Sequence, residues 1–466
     1  MKIIIIGSGA AGISAVQTIR QNDPDKELNI TLISSERETT YSPCALPYVI
    51  SANIPYKRLA RLDKKFFKEN KVQAFWGGSV CKISPAKKCV TLKNGKTFFY
   101  DKLLIATGSV PVKPPIQGID KKGVFCVDTL SNTRRIKNYL RYEKIISSKG
   151  KTNGKIAIIG AGFTGIETAL ALRKQGIEVV ILEMLDRILA RMLDADFINL
   201  VHQKISSLPT DNGEKTIEFK LSTEVVEIKG KDKVKSVVLK NGDNIPVNMV
   251  IVAVGVKPNM WFLNESEIKT NKGIVVDTRM QTSVPDIYAA GDVAETFDYI
   301  TGEKTISAIW PNAVEQGKIA ALNIIGKETH YQGAYNINVL NLEGTPVVSM
   351  GEIFDGYPPP TGGGITEKFT ATHSDEPRPS GLDDIVLRGS YTYQNENSNR
   401  RLFLMKNNKA QIDDFRMVGF ESIGEFRNLG FIWSSIQKKT SILALDSNIL
   451  KDNTVPFNTQ KVANNS

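Results

Sequence analysis

The sequence predicts an α/β chain: two Rossmann-like nucleotide-binding domains, the second inserted in the first, then a C-terminal α/β domain of the dimerisation type. Three observations predict it. Two glycine-rich turns, in residues 3–12 and 155–165, each follow an apolar β-type run. Each is followed by a helical pattern and a second β-type run, residues 29–33 and 178–182, which makes two βαβ units and hence two dinucleotide sites. The chain has 466 residues, which at roughly 150 per domain suggests about three domains.

The first element is Ile3-Ile4-Ile5-Ile6. This apolar run stops at Gly7, too short for the core of a signal peptide, and reads as a buried strand entering a turn. Residues 75–81, 89–92 and 97–100 read as a β-meander with a turn at Asn94-Gly95. A polar linker, residues 147–154, leads to the second unit. There, residues 218–226, 235–239 and 245–254 repeat the meander, with a turn at Asn241-Gly242, so the two domains share an architecture. Residues 356–381 are rich in Pro, Gly, Ser and Thr and read as a long loop. Strand-like and helix-like runs return over residues 385–442. Residues 450–466 are polar and read as a disordered tail.

Composition excludes several classes. No run of 18 apolar residues exists, so no membrane span is expected. The four cysteines, Cys44, Cys81, Cys89 and Cys126, have no paired spacing, and the three histidines are isolated, so no metal site is expected. Few cysteines and no export signal point to a reducing cytoplasm. The net charge of +11 reads as a lysine-rich, soluble surface. A basic cluster, Lys57, Arg58, Arg61, Lys64, Lys65, Lys68 and Lys71, faces only Asp63 and Glu69 nearby and could attract an anionic ligand. No nucleic-acid motif accompanies it, so nucleic acid is not an expected partner.

Gly7-Ser8-Gly9-Ala10-Ala11-Gly12 is G-x-G-x-x-G directly after a strand. Such glycines allow a tight turn and bring backbone N–H groups to a pyrophosphate at a helix N-terminus. An acid should hold the ribose beyond the second strand. Ser34 stands directly after that strand, and the first acid is Glu36, the expected ribose ligand of an FAD. Gly160-Ala161-Gly162-Phe163-Thr164-Gly165 repeats the fingerprint, and Glu183 follows its second strand. A carboxylate there accepts from a free 2′-OH and repels a 2′-phosphate, which favours NADH over NADPH, although Arg187 and Arg191 lie nearby. Two dinucleotide sites in one chain fit NADH reducing a bound flavin.

With these motifs the chain resembles the FAD-dependent pyridine nucleotide-disulfide oxidoreductases over about residues 1–350. Leu103-Leu104-Ile105-Ala106-Thr107-Gly108 looks like that family's second FAD segment, with Thr107 and Gly108 as cofactor contacts. Ile287-Tyr288-Ala289-Ala290-Gly291-Asp292 looks like its third; the resemblance implies that Gly291 and Asp292 face the flavin's ribityl chain. Val254-Gly255-Val256-Lys257-Pro258-Asn259 matches the family's segment that closes the NAD domain, which adds Gly255, and Ala313-Val314-Glu315-Gln316-Gly317 matches the helix near the flavin, which adds Ala313.

Tyr41-Ser42-Pro43-Cys44-Ala45-Leu46-Pro47-Tyr48 carries one cysteine where the family's best-known reductases carry two. It is similar to the single-cysteine branch of coenzyme A disulfide reductases, persulfide reductases and NADH oxidases, which implies a redox-active, catalytic Cys44 beside the flavin. A thiolate there needs a lowered pKa, and reduced flavin can then pass electrons to a sulfur bond. Cys81, Cys89 and Cys126 read as structural. Three departures stand out. Ala10 and Ala11 occupy the turn where oxidase and peroxidase members carry a histidine. The C-terminal Ala-Pro-Pro-Tyr-type segment of coenzyme A disulfide reductases is missing, with only Tyr357-Pro358-Pro359-Pro360 in the long loop. Glu167 matches a glutamate that elsewhere pairs with a lysine, and no such lysine follows Cys44. The Cys44 segment and Trp310-Pro311-Asn312-Ala313 also resemble the NAD-linked FAD subunit of phenylglyoxylate dehydrogenase-type complexes, whose iron–sulfur centres would belong to partners.

The resulting expectations are an FAD-binding domain at residues 1–115 and 272–328, an NAD(H)-binding domain at 116–271, a C-terminal interface domain at 329–449 and the tail at 450–466. The cofactors are FAD and NADH. The acceptor is a small-molecule disulfide, persulfide or polysulfide, or else a redox-protein partner, and the resemblance implies a homodimer.

Overall fold

The computed structural model describes residues 1–38, 40–51, 55, 58–59, 62–146, 152, 154–190, 192–210, 216–264, 266–353, 364–372, 386–395, 398–407, 416–424 and 436. Lys57, Arg61, Arg191 and residues 450–466 therefore lie outside the described residues. The α-helices with described bounds are α1 (Ala10–Gln21), α2 (Leu46–Ile50), α3 (Lys64–Glu69), α4 (Leu130–Tyr142), α5 (Phe163–Arg173), α6 (Ala195–Ser206) and α7 (Trp310–Ile324). The chain forms two units, Met1–Asp186 with Pro209–Tyr335, and Arg187–Leu208 with Asn336–Ser466.

The first unit holds two parallel five-stranded sheets of the same plan. In the first, the strand order is Ile287–Ala289, Lys102–Ile105, Lys2–Ile6, Asn29–Ser34, Val72–Trp76. Every neighbour is parallel, with Ile3 opposite Ile30 and Ile6 opposite Ile105. A parallel strand covered on both faces must be apolar throughout, and Ile3, Ile4, Ile5 and Ile6 are all buried. They share one core with Val16 and Ile19 of α1 and Ile319 and Ile324 of α7. In the second sheet the order is Ile217–Lys220, Glu178–Leu182, Lys155–Ile159, Met249–Val252, Val124–Phe125, again parallel throughout.

Each sheet is accompanied by a three-stranded antiparallel meander: Val80–Ser84, Cys89–Leu92 and Thr97–Phe99, then Val225–Lys229, Ser236–Leu239 and Asn244–Pro246. The duplication seen in sequence holds, with one correction. The runs 75–81, 218–226 and 245–254 each contain two strands, one in a parallel sheet and one in a meander. In the first, Gly77, at φ +77°, and Gly78 make the break. Apolar β-type character does not say which sheet a residue joins, so the break is invisible to that pattern.

The second unit contains α6 and a six-stranded antiparallel sheet in the order Ile337–Leu342, Thr345–Gly351, Arg416–Ile423, Ser398–Asn407, Val386–Asn395, Gly364–Thr372. Asp194 caps α6 by accepting from the Phe197 amide at 3.0 Å. Residues 364–372 correct the loop expected over 356–381: they pair along their full length with Val386–Asn395. Threonine counted there as a loop former, yet its β-branched side chain favours strands.

Candidate functional site

Gly7, Thr107-Gly108 and Gly291-Asp292 follow the ends of three strands of the first parallel sheet, at its carboxyl edge, where α/β sheets bind ligands. Lys2–Ile6 runs into Gly7, whose φ is +113° and whose amide donates to Ile33 O at 2.8 Å. A Cβ on Gly7 would lie 2.0 Å from Ala106 O, and one on Gly12 would lie 2.0 Å from Gly7 O. These two glycines therefore close the turn onto the neighbouring strand and onto α1. Gly9 is different: a Cβ there would meet nothing within 4 Å. Gly9 is the N-cap of α1, and no side chain caps that helix. A helix start without a side-chain cap, with room beside its N-cap glycine, suits a pyrophosphate.

The other predicted residues gather on the same edge. Thr107 Oγ1 donates to Asn259 O at 2.9 Å, and Gly108 has φ +64° with open space before it. Gly291 donates its amide to Gln316 Oε1 at 2.8 Å, and its α-carbon faces Ala11 of α1 and Ala313 of α7. Asp292 accepts from Ser109 Oγ at 2.7 Å, while burial pushes its carboxyl above the ordinary range.

The second half repeats this geometry. Gly160, at φ +104°, donates to Leu182 O at 2.9 Å. A Cβ on Gly165 would lie 2.1 Å from Gly160 O, while one on Gly162, the N-cap of α5, would meet nothing within 4 Å. Phe163 begins α5, which also lacks a side-chain cap. Glu183 Oε2 accepts from the Ala161 amide at 2.7 Å and Oε1 from Leu185 at 2.9 Å, so the carboxylate is locked at the mouth of the turn. Gly255 has φ +105° and open space around it.

Comparing the halves gives weight to Ser34, which the sequence reading named only as the residue after the second strand. Ser34 holds the strand-end place that Glu183 holds in the second half. It is buried, and its hydroxyl pairs with that of Ser8 at 2.9 Å. Glu36 lies two residues further on, with its amide donating to Ser34 Oγ at 3.3 Å and its Oε2 accepting from Tyr41 at 2.6 Å. Burial raises the Glu36 carboxyl pKa, against the lowering effect of the Tyr41 bond. Aligning the two glycine-rich turns and the strands after them was the signal that could have found Ser34.

Cys44 sits in the one-turn 3-10 helix Pro43–Ala45, immediately before α2, and is exposed with a free thiol. The turn is closed by the Ala45 amide donating to Ser42 O at 3.1 Å. Beyond it, α2 packs against α5, and Gln175 Nε2 donates to Ile50 O. This brings Glu167 of α5 to the thiol segment. Burial raises the Glu167 carboxyl to about 7. Tyr48 stands close enough to both that, beyond its own burial, the charges of Glu167 and Cys44 raise its hydroxyl further. The other cysteines are built in: Cys81 Sγ donates to Thr91 O at 3.4 Å, Cys89 is buried, and burial lifts the Cys126 thiol to about 11. Among the described residues, no three His, Cys, Asp or Glu side chains are grouped to hold a metal, and no helix is long and apolar enough to cross a membrane.

A family described as pyridine nucleotide-disulphide oxidoreductase matches residues 1–317. The chain is 38% identical over 346 residues to a protein named NADH oxidase from Methanocaldococcus jannaschii, covering 72% of each. It is 30% identical over 370 residues to the NADH-dependent phenylglyoxylate dehydrogenase subunit epsilon of Aromatoleum evansii, covering 79% of this chain and 82% of that one. Among solved structures, an NAD-dependent persulfide reductase from A. fulgidus is 25% identical with a TM-score of 0.76, over 96% of this chain and 78% of that one. The chain belongs to the pyridine nucleotide-disulphide oxidoreductase family, whose members are oxidoreductases that use FAD and NAD(P)H.

Proposed function

We propose that this member of the family is an NADH-dependent flavoprotein reductase whose acceptor is a sulfur–sulfur bond, and that Cys44 is the thiol that meets it. The observation that carries this reading is an exposed free cysteine on a short, closed turn, with α2 packing the segment against the helix of the second dinucleotide half. The likeness to a persulfide reductase supports it.

The residues have distinct tasks. Gly9 and the first turn of α1 would hold the FAD pyrophosphate, Glu36 the adenosine ribose, and Thr107, Gly108, Gly291, Asp292 and Ala313 the flavin side. Gly162, the start of α5 and Gly255 would hold NADH, with Glu183 against the 2′-OH. Its fixed carboxylate would repel a 2′-phosphate, so NADH is favoured over NADPH. Bound FAD supplies the two-electron exchange with nicotinamide. Cys44 Sγ attacks one sulfur of R–S–S–R, that bond breaks, and one thiolate leaves. The other half remains as a mixed disulfide on Cys44, and two electrons originating in NADH cleave it. The sum is NADH + H⁺ + RSSR → NAD⁺ + 2 RSH. Free thiols suit a reducing cytoplasm, and the second unit would serve a homodimer.

An anaerobic NADH titration tests this, after oxidising the protein with a disulfide. Wild type should take up one two-electron equivalent more than Cys44→Ser before the flavin bleaches. Equal uptake would sink the sulfur reading. It would favour the second one, an NAD-linked electron-transfer subunit, for which the likeness to the phenylglyoxylate dehydrogenase subunit speaks.

A further inference from the structure

We propose that Tyr41 is a positioning residue that aims Cys44 by tying the thiol turn to helix α4. The inference rests on Cys44 being the thiol that receives electrons. The Tyr41 hydroxyl makes two bonds at once: it donates to Glu36 Oε2 at 2.6 Å and accepts the Leu130 amide at 2.9 Å. Leu130 is the first residue of α4, whose N-cap Thr129 accepts from Asn132 at 3.2 Å. The bond therefore satisfies a helix-start N–H that the cap leaves over. The ring is 7% exposed and packs with Leu46, Val49, Leu59 and Leu130.

Only Ser42 and Pro43 separate Tyr41 from Cys44. Proline fixes its own φ, and the Ala45 to Ser42 bond closes the turn. Few torsions are left between a fixed Tyr41 and the Cys44 sulfur. The other side of the thiol is tied to the same helix, since Lys137 Nζ of α4 donates to Val49 O of α2 at 2.9 Å. Cys44 is thus braced before and after by one helix, while its own side chain stays exposed. Exchange at a disulfide requires the attacking and leaving sulfurs in line, and small misplacements of a reacting group are costly in rate. Glu36 gives the brace a second end beside the first glycine-rich turn, through Ser34 and Ser8.

The test is Tyr41→Phe in the full-length, FAD-bound protein. Phenylalanine keeps the ring in its core and removes both hydrogen bonds. Cys44 is first converted to a mixed disulfide with a pyridyl disulfide, with Cys44→Ser as the control. NADH is then mixed in rapidly and release of the coloured pyridinethione is timed. Release should be at least about tenfold slower in Tyr41→Phe than in wild type, with the KM for NADH unchanged. Equal release rates overturn the proposal, and so does a lower melting temperature with the release rate kept, because Tyr41 would then be structural only. If wild type itself releases no pyridinethione, the reading of Cys44 fails and takes the brace with it. Should Tyr41→Phe not fold, Lys137→Met removes the tie at Val49: slowed release supports the brace, and unchanged release overturns it.

Discussion

Glu183 and Ala161 are joined across the mouth of the second glycine-rich turn, the Ala161 amide donating to Glu183 Oε2 at 2.7 Å. A second bond, from the Leu185 amide at 2.9 Å, holds the other oxygen. The carboxylate is therefore held by two backbone amides at the mouth of the turn.

Glu183→Ala should weaken NADH binding and blur the choice of nucleotide. Hydrogen bonds to a charged group contribute about 1.5–3 kcal/mol each, so the KM for NADH should rise about tenfold or more. The ratio of kcat/KM for NADH over NADPH should fall by a similar factor, because a phosphate would no longer meet a negative charge. Steady-state kinetics with both nucleotides decide it, and an unchanged ratio would remove Glu183 from the specificity argument.

The glycines of each turn should separate into two kinds. Gly12 and Gly165 have no room, since an added Cβ would lie 2.0 and 2.1 Å from backbone oxygens. Overpacking of this sort costs about 1–3 kcal/mol, so Gly12→Ala and Gly165→Ala should lower the melting temperature. Gly9 and Gly162 have room and φ near −76° and −77°, which alanine adopts without strain. Gly9→Ala should leave folding intact but weaken FAD retention, and Gly162→Ala should raise the KM for NADH. Normal cofactor binding by both would mean that the open space is not where the pyrophosphates lie.

Gly317→Ala probes the packing behind the first turn. A Cβ on this residue of α7 would stand 2.2 Å from Ala11 O, in α1. Backbone cannot swing aside as a side chain can, so the two helices must separate. The same Ala11 faces Gly291, with Ala313 beside it. Stability should fall by roughly 2–3 kcal/mol, and FAD should be lost more readily on dilution. Full FAD content at a wild-type melting temperature would contradict the observed closeness of α1 and α7.

Glycine-rich turns and apolar strands were legible because local chemistry dictates them: Gly7 and Gly160 need positive φ and a close backbone approach, and no other residue type offers both. Positions set by tertiary pairing were not. Gly77-Gly78 divides one apolar β run between two sheets, and Gly364–Thr372 became a strand because Val386–Asn395 lies beside it. The Glu36–Tyr41–Leu130 chain of bonds spans 89 residues between Tyr41 and Leu130, and spacing in sequence carries no trace of it. Ser34 was in plain view as the strand-end residue. Its significance needed the second half, with Glu183 in the same place, to supply the comparison.

Glu167 should make the protein less stable as pH rises. Burial raises its carboxyl to about 7, from an ordinary value of 4.5, with no opposing cause. Between those two values the folded state holds a proton that the unfolded state has released, so stability falls with pH across that window. Below 4.5 both states are protonated and there is no penalty; above about 7 both are ionised and the penalty is complete. At 1.36 kcal/mol per pKa unit the full loss is roughly 2–4 kcal/mol. Glu167→Gln is isosteric and cannot ionise, so it should be nearly as stable as wild type at pH 5 and more stable at pH 8. Apparent melting temperatures of the two proteins, measured across that range, should diverge by several degrees. Parallel curves would mean that the carboxylate has found a cation or water in the folded protein. The same substitution separates stability from chemistry: if Glu167 also exchanges protons beside Cys44 and Tyr48, the pH profile of turnover with sulfur acceptors should lose a limb near 7 while the NADH-dependent bleaching of the flavin keeps its rate.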